Sequence, residues 1–92
     1  MRRVEISALA QRDIQYLRRW LADRAPDAAK RATKTIMMAA KSLADFPERG
    51  HLTLEGIREL PVPFGSAGYV LQYFVDGSRV VIARVFHSLE RR

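Results

Sequence analysis

The stretch "YVLQYFVDGSRVVIARVF", residues 69–86, limits this chain's fold more than any other segment. Two runs dense in β-branched, aliphatic and aromatic residues flank an Asp-Gly pair, the strongest short-range signal for a β-hairpin, because Asp and Gly both tolerate the positive φ that tight turns require. If Asp76 and Gly77 form a two-residue loop, Tyr73 faces Val80, Leu71 faces Ile82 and Tyr69 faces Arg84, with all six side chains on one face of the sheet. A bulged three-residue loop shifts that pairing. Upstream, "GIREL" reads as a further strand running into Pro61 and Pro63.

The hairpin needs something to cover its apolar face, and the first half of the chain supplies it. "VEI", residues 4–6, is a short strand that stops at Ser7, an N-cap for a helix running toward Pro26. Ala10, Ile14, Leu17 and Leu21 recur at helical spacing as a core stripe. Leu9, Tyr16 and Trp20 form a second apolar stripe about 100° round the same helix, wide for a small domain. Pro26 suits the first turn of a second helix and Asp27 its positive end, and Pro47 and Gly50 stop that helix near Phe46. Ala29, Ala32, Ile36, Ala40 and Leu43 are its expected buried face. Lys30, Arg31, Lys34 and Lys41 lie outside with Met38 among them, an apolar side chain on a basic face. The short "DRAPD" connection and the many alanines imply an antiparallel helical hairpin. The expected fold is α+β in the order β-α-α-β-β-β, an antiparallel sheet with the N-terminal helical hairpin packed on one face.

At 92 residues the chain is a single domain, residues 1–92, burying roughly 60–70% of its unfolded surface around one core. It has no cysteine, which excludes a disulfide framework and a thiolate metal site, and His51 and His87 stand too far apart in sequence for metal-ligand spacing. A reduced, cytoplasmic setting follows as an expectation, since no apolar run approaches the roughly 20 residues of a membrane span. The excess of 16 Lys and Arg over 10 acidic residues points to an acidic partner: nucleic acid, an acidic protein, or an enzyme already holding DNA.

The element order, the "FPERG" turn, "GIREL", "GYVLQYFV", the short turn and "VVIARVFHSLERR" together resemble the RelE/ParE superfamily of toxins from type II toxin–antitoxin systems, over nearly the whole chain. The resemblance implies one of two activities. RelE-like members are ribosome-dependent messenger RNA endoribonucleases, and ParE-like members bind and inhibit DNA gyrase. RNA cleavage needs a group that activates the ribose 2′-hydroxyl, cations for the phosphate and an acid for the leaving oxygen. RelE-like nucleases commonly carry a "GYR" pattern, where this chain has Val70 after Gly68 and Tyr69. Their basic run after the last strand is replaced here by "HSLE". Glu55 and Glu59 are the available carboxylate bases, but nothing in the sequence sets either beside His87.

The resemblance therefore favours the ParE branch: a non-enzymatic, stoichiometric inhibitor, without cofactor or bound metal, that traps the gyrase–DNA complex and is neutralised by a small ParD-like antitoxin. A toxin dimer or a toxin–antitoxin heterotetramer is compatible with it. The alternatives are the RelE-like endoribonuclease and a degenerate toxin fold kept as a binding module. Arg58, Arg84, His87, Arg91 and Arg92 are the candidate gyrase contacts, and Leu9, Tyr16, Trp20 and Met38 the candidate antitoxin contacts. Each has a plainer reading: Arg58 and Arg84 as ties between elements, His87 as a hydrogen-bonding group at the end of the sheet, Tyr69 and Tyr73 as core, and the lysine-rich helix face as solvated surface.

Overall fold

Ser7 starts the first helix as its position implies. Its extended backbone (φ −62°, ψ 161°) precedes α1, Ala8–Ala22, and its hydroxyl accepts a hydrogen bond from the Ala10 amide at 3.1 Å. In this computed structural model, which describes residues 2–90, the same hydroxyl donates to the Ala83 carbonyl at 2.9 Å and so joins the helix start to a strand. α1 stops at Ala22, short of Pro26, because the residue before a proline is driven out of the helical region; Ala25 sits at φ −155°, ψ 86°. Pro26 then opens α2, Pro26–Ser42, without the amide a first-turn residue would leave unpaired. α2 ends four residues before Phe46. Leu43 and Ala44 donate to the carbonyls three residues back, which tightens the last turn, and the Arg49 guanidinium donates to the Ser42 hydroxyl.

The five strands are β1, Arg3–Ile6; β2, His51–Leu52; β3, Arg58–Phe64; β4, Ala67–Asp76; and β5, Arg79–His87. They form one sheet in the order β1-β5-β4-β3-β2. The expected α+β architecture and chain order hold, with β2 as an additional two-residue strand on the margin. β2 to β5 pair antiparallel, while β1 crosses to the far edge and runs parallel to β5. Pro61 and Pro63 lie in β3 beyond the reach of β2, on the sheet's outer margin, where a strand can do without an outward-facing amide.

The hairpin register differs from the expected one by two residues. The turn is Gly77-Ser78, so Asp76 pairs with Arg79, Val75 with Val80 and Tyr73 with Ile82. Gly77 takes φ +60° and, among the described residues, no non-glycine has positive φ, the pattern of a type II′ turn, in which only the first central residue must be left-handed. Asp76 is thereby released to close the last strand pair and to accept from Arg79 at 2.8 Å. A bulge beside Gln72 and Tyr73 then skips Ala83, so Leu71 pairs with Val85, Tyr69 with His87, and Arg84 falls opposite Gln72 instead of Tyr69.

The core lies between the helical layer and one face of the sheet. Ala10, Ala32, Ile36, Ala40 and Leu43 meet Leu60, Val62, Tyr69, Leu71, Tyr73, Val80, Ile82 and Val85, with Ile14, Leu17 and Leu21 packed at its margin. Tyr73 is fully buried and its hydroxyl is satisfied twice, donating to the Pro47 carbonyl at 2.7 Å and accepting from the Gly50 amide at 2.8 Å. Gly50 is obligatory there, because a Cβ would stand 2.7 Å from that hydroxyl and 2.9 Å from the Glu59 carbonyl. The "FPERG" turn is thus fastened to the middle of the sheet by a tyrosine 26 residues further along the chain.

Candidate partner-binding site

The second stripe of α1 stays uncovered by the rest of the fold. Leu9 is 52% exposed, Tyr16 58% and Trp20 48%, large values for apolar side chains of a folded domain. Arg24 holds Trp20 from one side, its guanidinium 3.9 Å from the ring centroid and one amino group donating to the Trp20 carbonyl at 2.9 Å. The ring is therefore presented in a set orientation.

β5 supplies the opposite wall. Its last residue, His87, packs edge-on against buried Tyr69, with ring centroids 5.7 Å apart, and its Nδ1 accepts from the Leu89 amide at 3.2 Å. The Glu90 carboxylate accepts from the His87 amide at 2.7 Å, and the Ser88 amide donates to the Gly68 carbonyl at 2.9 Å, which turns residues 88–90 back toward α1. Tyr16, Leu17, Trp20, His87, Leu89 and Glu90 together line an open groove of roughly 330 Å³ between the helix and the end of the sheet. Burial raises the Tyr69 phenol above its ordinary pKa, so the ring behind His87 is a neutral wall.

The groove continues along an edge of β5 that other side chains have already sealed. β1 pairs only as far as Ile82, which leaves the outer backbone groups of residues 83–87 without a strand. Ser7 donates to the Ala83 carbonyl, Asp13 accepts from the Val85 amide at 2.9 Å, and Glu90 accepts from the His87 amide. Asp13 also receives Arg84 in a two-point clasp, Nε at 2.8 Å and Nη2 at 3.0 Å. Those hydrogen bonds, and then the Asp13 charge, raise the Arg84 guanidinium above its ordinary pKa.

The expected site residues divide accordingly. Tyr16, Trp20 and His87 come together, although the sequence assigned them to different partners. Leu9 lies on the same helical stripe outside the groove lining, and Met38, 61% exposed, stands on α2 apart from it. Arg84 is engaged by α1. Arg58 turns to the "FPERG" turn, donating to the Gly50 carbonyl at 2.8 Å. It pairs with Tyr73, four positions along β4 from the Tyr69 that faces His87, so Arg58 and His87 do not share a surface patch. Arg91 and Arg92 lie outside the described residues.

Glu59 accepts from Gln72 at 2.9 Å and stands 3.8 Å from His51, on a part of the sheet remote from His87. Glu55 is exposed in the loop before β3, and Val70 pairs with Pro61 and Phe86 inside the sheet. Sequence reasoning missed Asp13, Leu89 and Glu90. Leu89, 79% exposed in a polar terminal stretch, is the one whose type gave a signal. Asp13 could not be found that way, since its partners lie more than 70 residues away.

The sequence model of the family described as "ParE toxin of type II toxin-antitoxin system, parDE" matches residues 4–92. "Toxin RelE3" of Caulobacter vibrioides is 51% identical over 92 residues, covering all of both chains. "Toxin RelE1" of the same organism is 39% identical, covering 97% of this chain and 96% of the relative. Among solved structures, the chain resembles a chromosomal ParDE toxin–antitoxin system from P. aeruginosa with a TM-score of 0.81 at 19% identity, covering 95% and 96% of the two chains. That likeness is one of fold. It also resembles the toxin–antitoxin complex RelBE2 from Mycobacterium tuberculosis with a TM-score of 0.68 at 25% identity, covering 94% and 96%.

Proposed function

The chain belongs to the ParE toxin family of type II toxin–antitoxin systems, and from that premise we propose that it acts by binding and inhibiting DNA gyrase, stoichiometrically and without chemistry of its own. One observation carries the choice of binding over cleavage. The open groove offers an imidazole, a carboxylate and a phenol but, among the described residues, no Lys or Arg in its lining. Arg84, the cation nearest in sequence to His87 among those residues, has both of its forked donors on Asp13. Phosphoryl chemistry on RNA depends on cations aimed at the developing charge, and a guanidinium already clasped by a carboxylate is poorly placed to supply it.

The same groove serves the antitoxin in this reading. The solved relatives are complexes with antitoxins, and a ParD-like partner here would lay an amphipathic helix against Tyr16 and Trp20. Half-exposed aromatic side chains held in one orientation are the usual anchors of such contacts. His87 lies in the same lining, so a bound antitoxin would cover it. Inhibition and neutralisation then compete for one surface.

A second reading has its own support. The relatives at 51% and 39% identity carry RelE names, and His87 opens onto the groove, where it could exchange a proton with a bound ribose. Messenger RNA cleavage on the ribosome is therefore the alternative. The discriminating experiment expresses the toxin and its His87→Ala variant in cells and maps message ends. Intact message in both supports gyrase binding, and codon-positioned cuts that vanish in the variant select the nuclease.

A further inference from the structure

The net charge of +6 is concentrated in one layer of the molecule. Residues 8–42, the helical hairpin, hold eight Lys and Arg against three Asp, so five of the six net charges belong to the helices. The acidic groups are turned aside or set at one end. Asp13 is taken up by Arg84 on β5, Asp23 caps the end of α1, and Asp27 lies in the first turn of α2. Arg12 and Arg19 on α1, and Lys30, Arg31, Lys34 and Lys41 on α2, are all exposed, and none enters an ion pair among the described residues.

Their spacing is regular. At about 100° per residue, Lys30, Lys34 and Lys41 fall within an arc of roughly 40°, opposite the buried face formed by Ala32, Ile36 and Ala40. Along the axis they are separated by about 6 Å and about 10.5 Å at 1.5 Å per residue. A B-DNA duplex carries one negative charge per about 1.7 Å of its axis, a denser row of charge than these lysines, so each flexible side chain can reach a phosphate. Arg12 and Arg19 repeat the step of about 10.5 Å on the neighbouring helix, whose axis lies about 8–10 Å away.

We propose that the outer face of the helical hairpin binds the phosphate backbone of duplex DNA without reading its sequence. The proposal deepens the gyrase reading, from which duplex DNA is taken as the polyanion: the toxin would hold the DNA that the enzyme has engaged as well as the enzyme. Contacts from point charges on long, flexible side chains position a duplex and carry no base information. The surface lies on the helical layer, and the groove beside β5 contributes none of the six cations.

The test is fluorescence anisotropy of a labelled 20-base-pair duplex titrated with the full chain at a series of salt concentrations. With about four phosphates neutralised, affinity falls on the order of 100-fold between 50 and 200 mM salt. The Lys30→Ala/Lys34→Ala/Lys41→Ala variant, which alters exposed positions only, keeps its circular dichroism and flattens the logarithmic salt slope by about three. A second arm competes the duplex with polyglutamate and with single-stranded RNA of the same length. Equal competition by either overturns the duplex assignment in favour of an acidic protein or RNA, and a salt slope unchanged in the triple variant overturns the surface. A wild type that inhibits gyrase while its DNA binding ignores the three lysines refutes this inference and leaves the gyrase reading standing. DNA binding that follows the three lysines, in a chain that never inhibits gyrase, does the reverse.

Discussion

Replacing Tyr73 by Phe removes one oxygen atom and, by the geometry around it, should cost about 2 kcal/mol. The ring is fully buried and its packing is conserved in the substitution, so no cavity larger than a hydroxyl results. What is lost is the tie between the "FPERG" turn and the sheet: the Pro47 carbonyl loses its donor at 2.7 Å and the Gly50 amide its acceptor at 2.8 Å. Each hydrogen bond contributes about 0.5–1.5 kcal/mol net, and an amide left buried and unpaired costs about 1–3 kcal/mol, which sets the total near 2. For a chain of this size that is a fall in melting temperature of about 8–16 °C, or a urea midpoint lower by about 2 M at an m-value near 1 kcal/mol/M. The assay is equilibrium urea unfolding followed by circular dichroism, with the m-value unchanged. Arg58 should loosen with the turn, because the Gly50 carbonyl that receives it belongs to the same segment. A loss below about 0.5 kcal/mol, the range of surface substitutions, would refute the view that Tyr73 fastens this turn.

Three further outcomes are expected. Trp20→Ala should weaken antitoxin binding by about 2 kcal/mol in calorimetry while the circular dichroism spectrum is retained, because the ring is half-exposed and braced by Arg24, not by the core; unchanged affinity would remove the groove from the interface. Asp13→Asn should lower the melting temperature and speed amide exchange at Val85 and along the outer edge of β5, since Asp13 binds both Arg84 and that edge; protection equal to the parent's would show that the clasp does not hold α1 to the sheet. Gly77→Ala should cost about 1 kcal/mol in urea unfolding, the strain of a left-handed residue with a Cβ at φ +60°.

The helical half of the fold was legible because helical periodicity is a strong local signal. The alternation that buries Ala29, Ala32, Ile36, Ala40 and Leu43 is written within 15 residues of chain, and Ser7 and Pro26 mark where the helices start. The strands were legible as strands, yet their register was not. Moving the turn from Asp76-Gly77 to Gly77-Ser78 keeps the same alternating faces, because a shift of two leaves the side-chain period unchanged. The bulge that skips Ala83 depends on how β5 meets both β4 and α1, which no local pattern reports. The groove was half legible for the same reason. Tyr16 and Trp20 announce themselves as surplus apolar residues on one helix, whereas His87 joins them only because β5 ends beside α1 and residues 88–90 fold back. Arg58 and Arg84 read equally as gyrase contacts and as ties between elements, and the sequence could not choose because their partners, the Gly50 carbonyl and Asp13, are set by tertiary contacts.

The central claim, inhibition of gyrase by stoichiometric binding, is tested most directly by titrating a fixed concentration of gyrase with the purified chain in a supercoiling reaction, alongside a translating ribosome extract given the same doses. Supercoiling should fall in proportion to added toxin, with a break near equivalence with the enzyme and with intact message throughout the extract. Full supercoiling in the presence of excess toxin, together with message cut at doses far below the ribosome concentration, would contradict the claim and identify the chain as an endoribonuclease.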